Sequence, residues 1–287
     1  ITVNDTNPPV WGPNPSGLFL ACDNANNAAT LDAWLANKGG GNATDNCNGS
    51  TITADYASGA AILAAVRAWC PGNTPIRSVT VTFTATDGCG RAATRTAVIS
   101  LTDNVAPNAD PIPTANAKCA TSEVPVNPAV VTGVTDNCTP AANVSVTYVG
   151  ETVISAGNGC PSSPRLVNRT YRLTDCAGNT RDVAQLIIIA DDEAPTWTVN
   201  PSPLNLTCPS SDATIQTWLN THGTTGVATD NCGAPTYRTI PATVAEIRAL
   251  LGKCAPYTGS VTVTFVAEDA CMNSSTRTAT LTIADNP

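Results

Sequence analysis

The residues of this chain best able to do chemistry are cysteines and aspartates that recur together. The letters TDNC stand at 44–47, 135–138 and 229–232, so an acid, an amide and a thiol lie side by side three times. Thiols form disulfides or bind zinc, and carboxylates bind hard cations such as Ca²⁺. Zinc sites usually show paired C-x-x-C spacings, which this sequence lacks. The pattern therefore favours disulfides, with the aspartates as candidate cation ligands.

The cysteines recur in three sets of four, at near-constant, domain-sized intervals. The sets are Cys22, Cys47, Cys70 and Cys89; Cys119, Cys138, Cys160 and Cys176; and Cys208, Cys232, Cys254 and Cys271. Self-similarity at this period indicates tandem domains. An even number of cysteines at repeated spacing indicates a disulfide framework formed in an oxidising compartment. We therefore expect a secreted or cell-surface protein, and no free catalytic thiol.

The repeats are bounded by acids that precede proline. The opening ITVNDTNPP matches VISLTDNVAP and LIIIADDEAP, which end the first two repeats. We therefore expect a piece of a longer protein. The predicted division is 1–8 as the end of a preceding repeat and linker, 9–104 as repeat 1, 105–193 as repeat 2 and 194–287 as repeat 3.

Charge and hydropathy exclude two classes of partner. The net charge is −8, the pI is near 4.5, and the lysines are Lys38, Lys118 and Lys253. Nucleic-acid binding needs clustered Lys and Arg, so we expect no nucleic-acid partner. No stretch approaches the roughly 18 apolar residues that span a bilayer, so no membrane span is expected in this segment.

The elements that must position these residues are mainly strands. In the stretch 78–87, Val79, Val81 and Phe83 alternate with serine and threonine, which is the pattern of a half-buried strand. Its partner at 94–103 follows a short glycine-bearing turn, so the pair predicts a β-hairpin. Repeat 3 copies this pattern closely and repeat 2 does so more loosely.

Short helices are predicted in the outer repeats only. Apolar residues at helical spacing predict one around Leu31 and one around Ile215, each closed by glycine. Second helices are predicted at 58–69 and 243–253, the latter beginning with a capping box. We expect a mainly β protein of three tandem immunoglobulin-like β-sandwich domains, with helices inserted in the first and third.

The ordered motifs carry a resemblance. TDNC, an alternating strand, ATDGCG or TDCAGN, and a strand ending LTDNVAP resemble the hyalin-repeat-like (HYR-like), immunoglobulin-like domains that occur in tandem in large secreted and surface proteins of Bacteroidota-type bacteria. The likeness covers all three repeats and implies an adhesive or structural role without catalysis. Repeat 2 departs where Cys176 directly follows Asp175, and repeat 3 where Met272 and Asn273 replace Gly-Asn. These departures predict turns of different shape.

In such a sandwich the TDNC loop and the Asp-Cys turn lie at one end, while the first and third cysteines lie near the other. Because the chain-entropy gain is roughly 3.5 to 4 kcal/mol for each candidate loop, only topology can choose the partners. We therefore predict disulfides within each repeat. The predicted pairs are Cys22 with Cys70, Cys47 with Cys89, Cys119 with Cys160, Cys138 with Cys176, Cys208 with Cys254, and Cys232 with Cys271.

The aspartates predict cation sites, because boundary acids should meet the acids of the TDNC loop and the hairpin turn. Ca²⁺ takes six to eight oxygen ligands, and the arrangement is similar to cadherin-like linkers that calcium stiffens. Asp and Asn also hold tight loops by accepting backbone hydrogen bonds, with no metal, and this alternative stays open. The candidate ligands are Asp5, Asp45 and Asp87; Asp103, Asn104, Asp136 and Asp175; and Asp191, Asp192, Glu193, Asp230 and Asp269.

An enzyme is not expected, because the only histidine, His222, has no repeat equivalent and no nucleophile-base pair recurs. The leading hypothesis is a structural or adhesive segment of a long extracellular protein or filament. Its partners would be neighbouring repeats of the same chain, and self-association into fibres is expected from the low surface charge. The alternatives are carbohydrate- or surface-binding modules, and accessory domains of a larger secreted enzyme.

Overall fold

The computed structural model describes residues 5–47, 49–68, 76–208, 210–251 and 259–284. Cys70, Cys254 and Trp69 lie outside these ranges, so the predictions made for them are not addressed by the structure.

The protein is mainly β and consists of tandem β-sandwich domains, as the sequence predicts. The strands are β1 (Val10–Trp11), β2 (Leu18–Ala21), β3 (Ala43–Thr44), β4 (Ser50–Ala54), β5 (Ile76–Asp87), β6 (Ala92–Thr102), β7 (Ala115–Ala117), β8 (Ser145–Ser155), β9 (Arg165–Thr174), β10 (Thr180–Ile189), β11 (Thr196–Val199), β12 (Leu204–Thr207), β13 (Val227–Thr229), β14 (Thr236–Ile240), β15 (Gly259–Glu268) and β16 (Ser274–Ala284). The helices are α1 (Asn27–Ala36), α2 (Gly59–Ala68), α3 (Asp212–Asn220), α4 (His222–Thr225) and α5 (Val244–Leu250).

Each predicted repeat contains a four-stranded sheet with the same strand order. The orders are β2-β6-β5-β4, β7-β10-β9-β8 and β12-β16-β15-β14. The last two strands in sequence form the predicted antiparallel hairpin, in which Val79 is opposite Ile99. The first strand runs parallel to the end of the last, so that Leu20 is opposite Leu101 and Ala117 is opposite Ile189. This parallel pairing places the first cysteine of a repeat where the chain leaves that repeat.

The chain divides into two compact units that do not coincide with the three repeats. One unit contains Ile1–Pro113, Asn127–Gly150 and Thr170–Gln185, and the other contains Thr114–Val126, Glu151–Arg169 and Leu186–Pro287. Each unit therefore combines one outer repeat with part of the central repeat.

In the first unit, helices α1 and α2 pack on the β5–β6 hairpin. Leu31 and Ile62 are fully buried with Phe83, and the ring of Trp34 meets the ring of Phe83 edge-on at 5.3 Å. Gly59 begins α2 against the backbone of α1, where an added Cβ would lie 2.3 Å from the carbonyl oxygen of Ala28. The predicted helices thus form much of the layer that covers the sheet.

The second unit repeats this design around Trp218 and Phe265, whose ring centroids are 5.2 Å apart. The predicted capping box is confirmed at α5, because the Thr243 hydroxyl accepts the Glu246 N–H at 3.2 Å and the Glu246 carboxylate accepts the Thr243 N–H at 3.1 Å. The central repeat, which is described throughout, contains only short 3₁₀ turns and no α-helix. Both features follow the sequence prediction.

Candidate metal centres

Among the described residues, three clusters of acidic side chains lie at the ends of the repeats, and two of them include a cysteine. In each cluster, one ligand atom from every member lies within 4.8 Å of the others. The clusters comprise Asp5, Asp45 and Cys47; Asp103, Asp136 and Asp175; and Asp191, Asp230 and Cys232. The structure therefore brings one acid of each boundary, Asp5, Asp103 or Asp191, to the aspartate of a TDNC loop.

The TDNC aspartate is held by its own loop. One oxygen of Asp45, of Asp136 and of Asp230 accepts the backbone N–H of the TDNC cysteine, each at 2.9 Å. This is the turn chemistry that the sequence left open as an alternative to metal binding. In each aspartate this hydrogen bond occupies one carboxylate oxygen and leaves the other for a different partner.

The hairpin aspartates are held even more firmly. Oδ1 of Asp87, Asp175 and Asp269 accepts two backbone N–H groups each, at 2.7 to 2.9 Å. The predicted differences in turn shape are wrong, because all three turns share this hydrogen-bond frame. Met272 occupies the position of Gly90 and Gly178 at the same left-handed φ, 68° against 83° and 91°.

Met272→Gly is expected to stabilise the protein by about 1 kcal/mol, because a side chain in the left-handed region is strained and glycine is not. Met272 is 80% exposed, so little apolar burial is lost. Gly178→Ala, at the equivalent turn, is the matched variant and is expected to destabilise. Urea unfolding measures both effects, and a destabilised Met272→Gly protein would contradict the conclusion that the backbone of Met272 is strained.

At each boundary, a side chain that was not predicted from the sequence connects the boundary acid to the hairpin turn. The side chains of Arg91, Asn179 and Asn273 donate to the backbone carbonyls of Asp5, Asp103 and Asp191, at 2.8, 3.3 and 3.1 Å. All three donors stand at the same place, four residues after the hairpin aspartate. That repeated spacing was the sequence signal for them.

Each cluster retains a buried carboxylate oxygen without a hydrogen-bond partner. These oxygens are Oδ2 of Asp5, Oδ1 of Asp136 and Oδ1 of Asp230; Oδ2 of Asp87, in the hairpin turn of the first repeat, is also unpaired. Leaving such an oxygen buried and unpaired is costly, so buried polar groups nearly always have a partner. A bound cation would supply that partner. The residues therefore fit a hard, oxygen-preferring ion such as Ca²⁺.

The electrostatics agree with this fit. Burial raises the pKa of Asp103; the Val105 N–H lowers it, and the carboxylates of Asp136 and Asp175 raise it further. Burial likewise raises the pKa of Asp191, with the Asp230 and Asp269 carboxylates adding to the effect. Crowded like charges disfavour the ionised form, and a divalent cation reverses that penalty.

The first boundary differs from the second because it contains a fully buried arginine. Arg77 donates to the Asp103 carboxylate at 3.4 Å, the Thr139 hydroxyl at 2.6 Å and the Cys138 carbonyl at 3.1 Å. Arg165, which opens the corresponding strand of the next repeat, is exposed. Arg77 thus supplies positive charge at the first boundary, and the sequence analysis missed it.

Five predicted ligands lie outside the three clusters: the hairpin acids Asp87 and Asp269, and the boundary residues Asn104, Asp192 and Glu193. Asp192 and Glu193 are more than half exposed and pair with Lys118, whose Nζ lies 3.7 Å from Glu193 Oε1. Asn104 is exposed. Asp192 and Glu193 already pair with the cation of Lys118, and Asn104 is solvated, so these three residues are not part of the candidate site.

Disulfides accompany the clusters, and they cross the repeat boundaries. Their Cα–Cα distances are 5.1 to 5.6 Å, within the usual range for disulfides. Where both cysteines lie in the described ranges, the bonds are Cys22–Cys138, Cys119–Cys232 and Cys160–Cys271. Each links a first or third cysteine to the second or fourth cysteine of the next repeat.

The predicted pairing within repeats is therefore wrong where the structure tests it. Four predicted pairs contain cysteines that are bonded elsewhere: Cys22 with Cys70, Cys119 with Cys160, Cys138 with Cys176, and Cys232 with Cys271. The fifth, Cys47 with Cys89, is also wrong, because both are free thiols. The sixth, Cys208 with Cys254, involves a residue outside the described ranges.

The physical reason lies in which ends meet. Cys22 follows β2 and donates its N–H to the Thr102 carbonyl at 2.9 Å, next to the boundary acid Asp103. Asp103 lies in the same cluster as Asp136, and Asp136 stands two residues before Cys138. The outgoing end of one repeat thus meets the TDNC end of the next. The partner of Cys22 lies across the boundary, not along its own repeat.

The tryptophans that follow the boundary prolines do not hold the boundaries. Trp11 and Trp197 lie in the apolar cores with less than a tenth of their surface exposed. Their indole N–H groups donate to the carbonyls of Ala93 and Ser275 within the same repeats. The boundaries are therefore held by disulfides and polar contacts.

Within the described ranges, no helix combines the length and apolarity needed to cross a membrane.

No protein-family model and no curated protein sequence matches the chain. Solved structures similar to it include extracellular cadherin domains 1–5 of protocadherin gamma B2, with 12% identity and a TM-score of 0.31 over 98% of this chain. Others are the protocadherin gamma B4 extracellular domain (14%, 0.29, 96%) and sidekick-1 immunoglobulin domains 1–4 (11%, 0.26, 72%). The chain spans 61%, 49% and 58% of these three, respectively. Likenesses this low leave the function to be inferred from the residues of the chain itself.

Proposed function

We propose that this chain is a structural, adhesive segment of a long extracellular repeat protein, whose successive repeats are locked by disulfides and by Ca²⁺. One observation carries the proposal: both described boundaries combine a covalent bond between repeats with an acidic cluster that has an unpaired buried oxygen. Structural disulfides persist in oxidising compartments, which supports a secreted or surface location. The ordered motifs support the HYR-like, Bacteroidota-type assignment.

The role is proposed to be mechanical, not catalytic. A disulfide beside a bound cation would restrain a boundary in two independent ways, since the bond fixes the separation and the ion removes charge repulsion.

Lateral association into fibres forms part of the proposal. Strand β8 lies at the edge of its sheet, and Tyr148, Val149 and Val153 on it are each more than 40% exposed. Exposed apolar edge strands promote pairing with other chains.

The calcium proposal is tested by titrating the 287-residue chain with Ca²⁺, using calorimetry and thermal unfolding. We expect binding near 10⁻⁴ to 10⁻³ M, as in extracellular modules. At tenfold excess over Kd each site should add about 1.4 kcal/mol of stability. The first boundary should bind more weakly than the second, because Arg77 already lies beside Asp103.

Asp230→Asn separates metal binding from turn chemistry. The amide oxygen can still accept the Cys232 N–H, so the loop is retained while the unpaired oxygen is lost. One bound ion should therefore disappear. Asp192→Asn is the matched control, since Asp192 pairs with Lys118 outside the cluster and its loss should leave binding unchanged. No binding at roughly 10 mM, or equal effects of the two substitutions, would overturn the calcium proposal.

The alternative of a binding module has one supporting observation. In the third repeat His222 stacks on Tyr237, with ring centroids 3.8 Å apart, beside a cavity of about 400 Å³. Sugar-binding surfaces usually present exposed aromatic faces. The four described tryptophans are buried instead, which favours the structural role. An accessory role beside a catalytic domain is compatible with either function.

A further inference from the structure

The described disulfides follow one positional rule. Cys138 and Cys232, the second cysteines of repeats 2 and 3, are bonded to the first cysteine of the preceding repeat. Cys271, a fourth cysteine, is bonded to the third cysteine of the preceding repeat. The second and fourth positions therefore receive a partner from another repeat.

Cys47 and Cys89 occupy these same positions in the first repeat, and both are free, exposed thiols. Their backbones are already arranged as in the bonded repeats. Cys47 N–H donates to Asp45 at 2.9 Å, as Cys138 N–H does to Asp136. Cys89 N–H donates to its own hairpin aspartate at 2.8 Å. The bonded Cys271 has the same arrangement, since its N–H donates to Asp269 at 2.7 Å.

The face of the first repeat otherwise resembles the faces that carry half-cystines. It holds buried oxygens of Asp5 and Asp87 without hydrogen-bond partners, as the bonded faces do at Asp136 and Asp230. Cys47 is exposed, as the bonded Cys232 is, whereas Cys138 is only 3% exposed. What distinguishes this face is that both of its cysteines are free thiols.

We propose that the face of the first repeat that carries Cys47 and Cys89 is a covalent docking surface for another repeat of the same type. The first and third cysteines of that repeat form disulfides with Cys47 and Cys89, respectively. This deepens the proposed structural function by naming the partner of this end.

Each bond forms by thiol-disulfide exchange with a small-molecule disulfide. The thiolate of one cysteine attacks the oxidant's S–S bond and releases one thiol, giving a mixed disulfide. The second cysteine then attacks that mixed disulfide and releases the other thiol. Two cysteine thiols lose two protons and two electrons, and the oxidant becomes two thiols.

The test compares the chain with a tandem protein in which residues 1–284 of one copy are followed directly by residues 5–287 of a second, so that Asp5 replaces the boundary acid. Both are refolded with oxidised and reduced glutathione, alkylated and mapped by non-reducing peptide analysis. In the single chain, Cys47 and Cys89 should be fully alkylated. In the tandem protein, both thiols of the downstream copy should become resistant and be found bonded to the first and third cysteines of the upstream repeat.

The Cys22–Cys138 and Cys160–Cys271 bonds in each copy report correct folding. In a correctly folded tandem protein, a Cys47–Cys89 bond, continued alkylation of both thiols, or bonds only between separate molecules would each overturn the proposal. Cys47→Ser with Cys89→Ser in the downstream copy is the control that should remove the new bonds alone. The experiment measures the state of the thiols and not calcium binding, so this proposal and the calcium proposal can fail separately.

Discussion

Replacing Cys22 and Cys138 together with alanine is expected to lower the free energy of unfolding of their unit by about 4 to 5 kcal/mol. The bond closes a loop with a sequence separation of 116 residues. In the chain-entropy model a loop of that size contributes roughly 4.7 kcal/mol by restricting the unfolded chain. Both sulfurs also lie in the apolar core, with Cys22 and Cys138 each 3% exposed, so their loss removes packing as well.

Urea unfolding under non-reducing conditions measures this effect, and the matched control is the double replacement of Cys47 and Cys89 by alanine. Those thiols are exposed and free in this chain, so their removal should change stability by less than about 0.5 kcal/mol. Similar losses in the two variants, or no loss in the first, would contradict the inter-repeat disulfide. Limited proteolysis near Asp103 should accelerate only in the Cys22 and Cys138 variant.

Arg77→Met is expected to cost about 3 to 5 kcal/mol, the usual result of removing one partner of a buried ion pair. Arg77 and Asp103 are both fully buried, so the substitution leaves the Asp103 carboxylate among those of Asp136 and Asp175 without its cation. It also removes the donors to Thr139 and to the Cys138 carbonyl. Saturating Ca²⁺ should recover part of the loss, because the ion restores positive charge to the cluster.

Two further variants make this prediction specific. Arg165→Met alters the equivalent position of the next repeat, where the arginine is exposed, and should cost less than about 0.5 kcal/mol. Adding Asp103→Asn to Arg77→Met should recover stability, because the uncompensated charge is removed. Thermal unfolding with and without Ca²⁺ measures the stability of all three variants, Arg77→Met, Arg165→Met and the double variant. An Arg77→Met protein as stable as the unsubstituted chain would show that Arg77 does not hold the first boundary.

Local features were accessible from the sequence because they depend on neighbours along the chain. The alternation of Val79, Val81 and Phe83 predicts a half-buried strand at β5, and the pattern at Thr243 predicts the start of α5; both are present. The clustering of boundary acids with TDNC aspartates was also predictable, because the order of the strands places consecutive loops at the same end of a sandwich.

Features that depend on how consecutive repeats meet were not accessible in this way. Spacing along the chain shows that Cys22 and Cys138 recur, but their bond joins positions from two repeats that come together only when the boundary forms. The burial of Arg77, and the pairing of Asp192 with Lys118 instead of with the cluster, are likewise long-range outcomes. The sequence by itself determined the repeats, their strands and their acid-bearing turns, since short-range hydrogen bonds and periodicity specify these. Only the tertiary structure decided the disulfide partners and the charge balance of each boundary, because these depend on which surfaces are brought together and sealed from water.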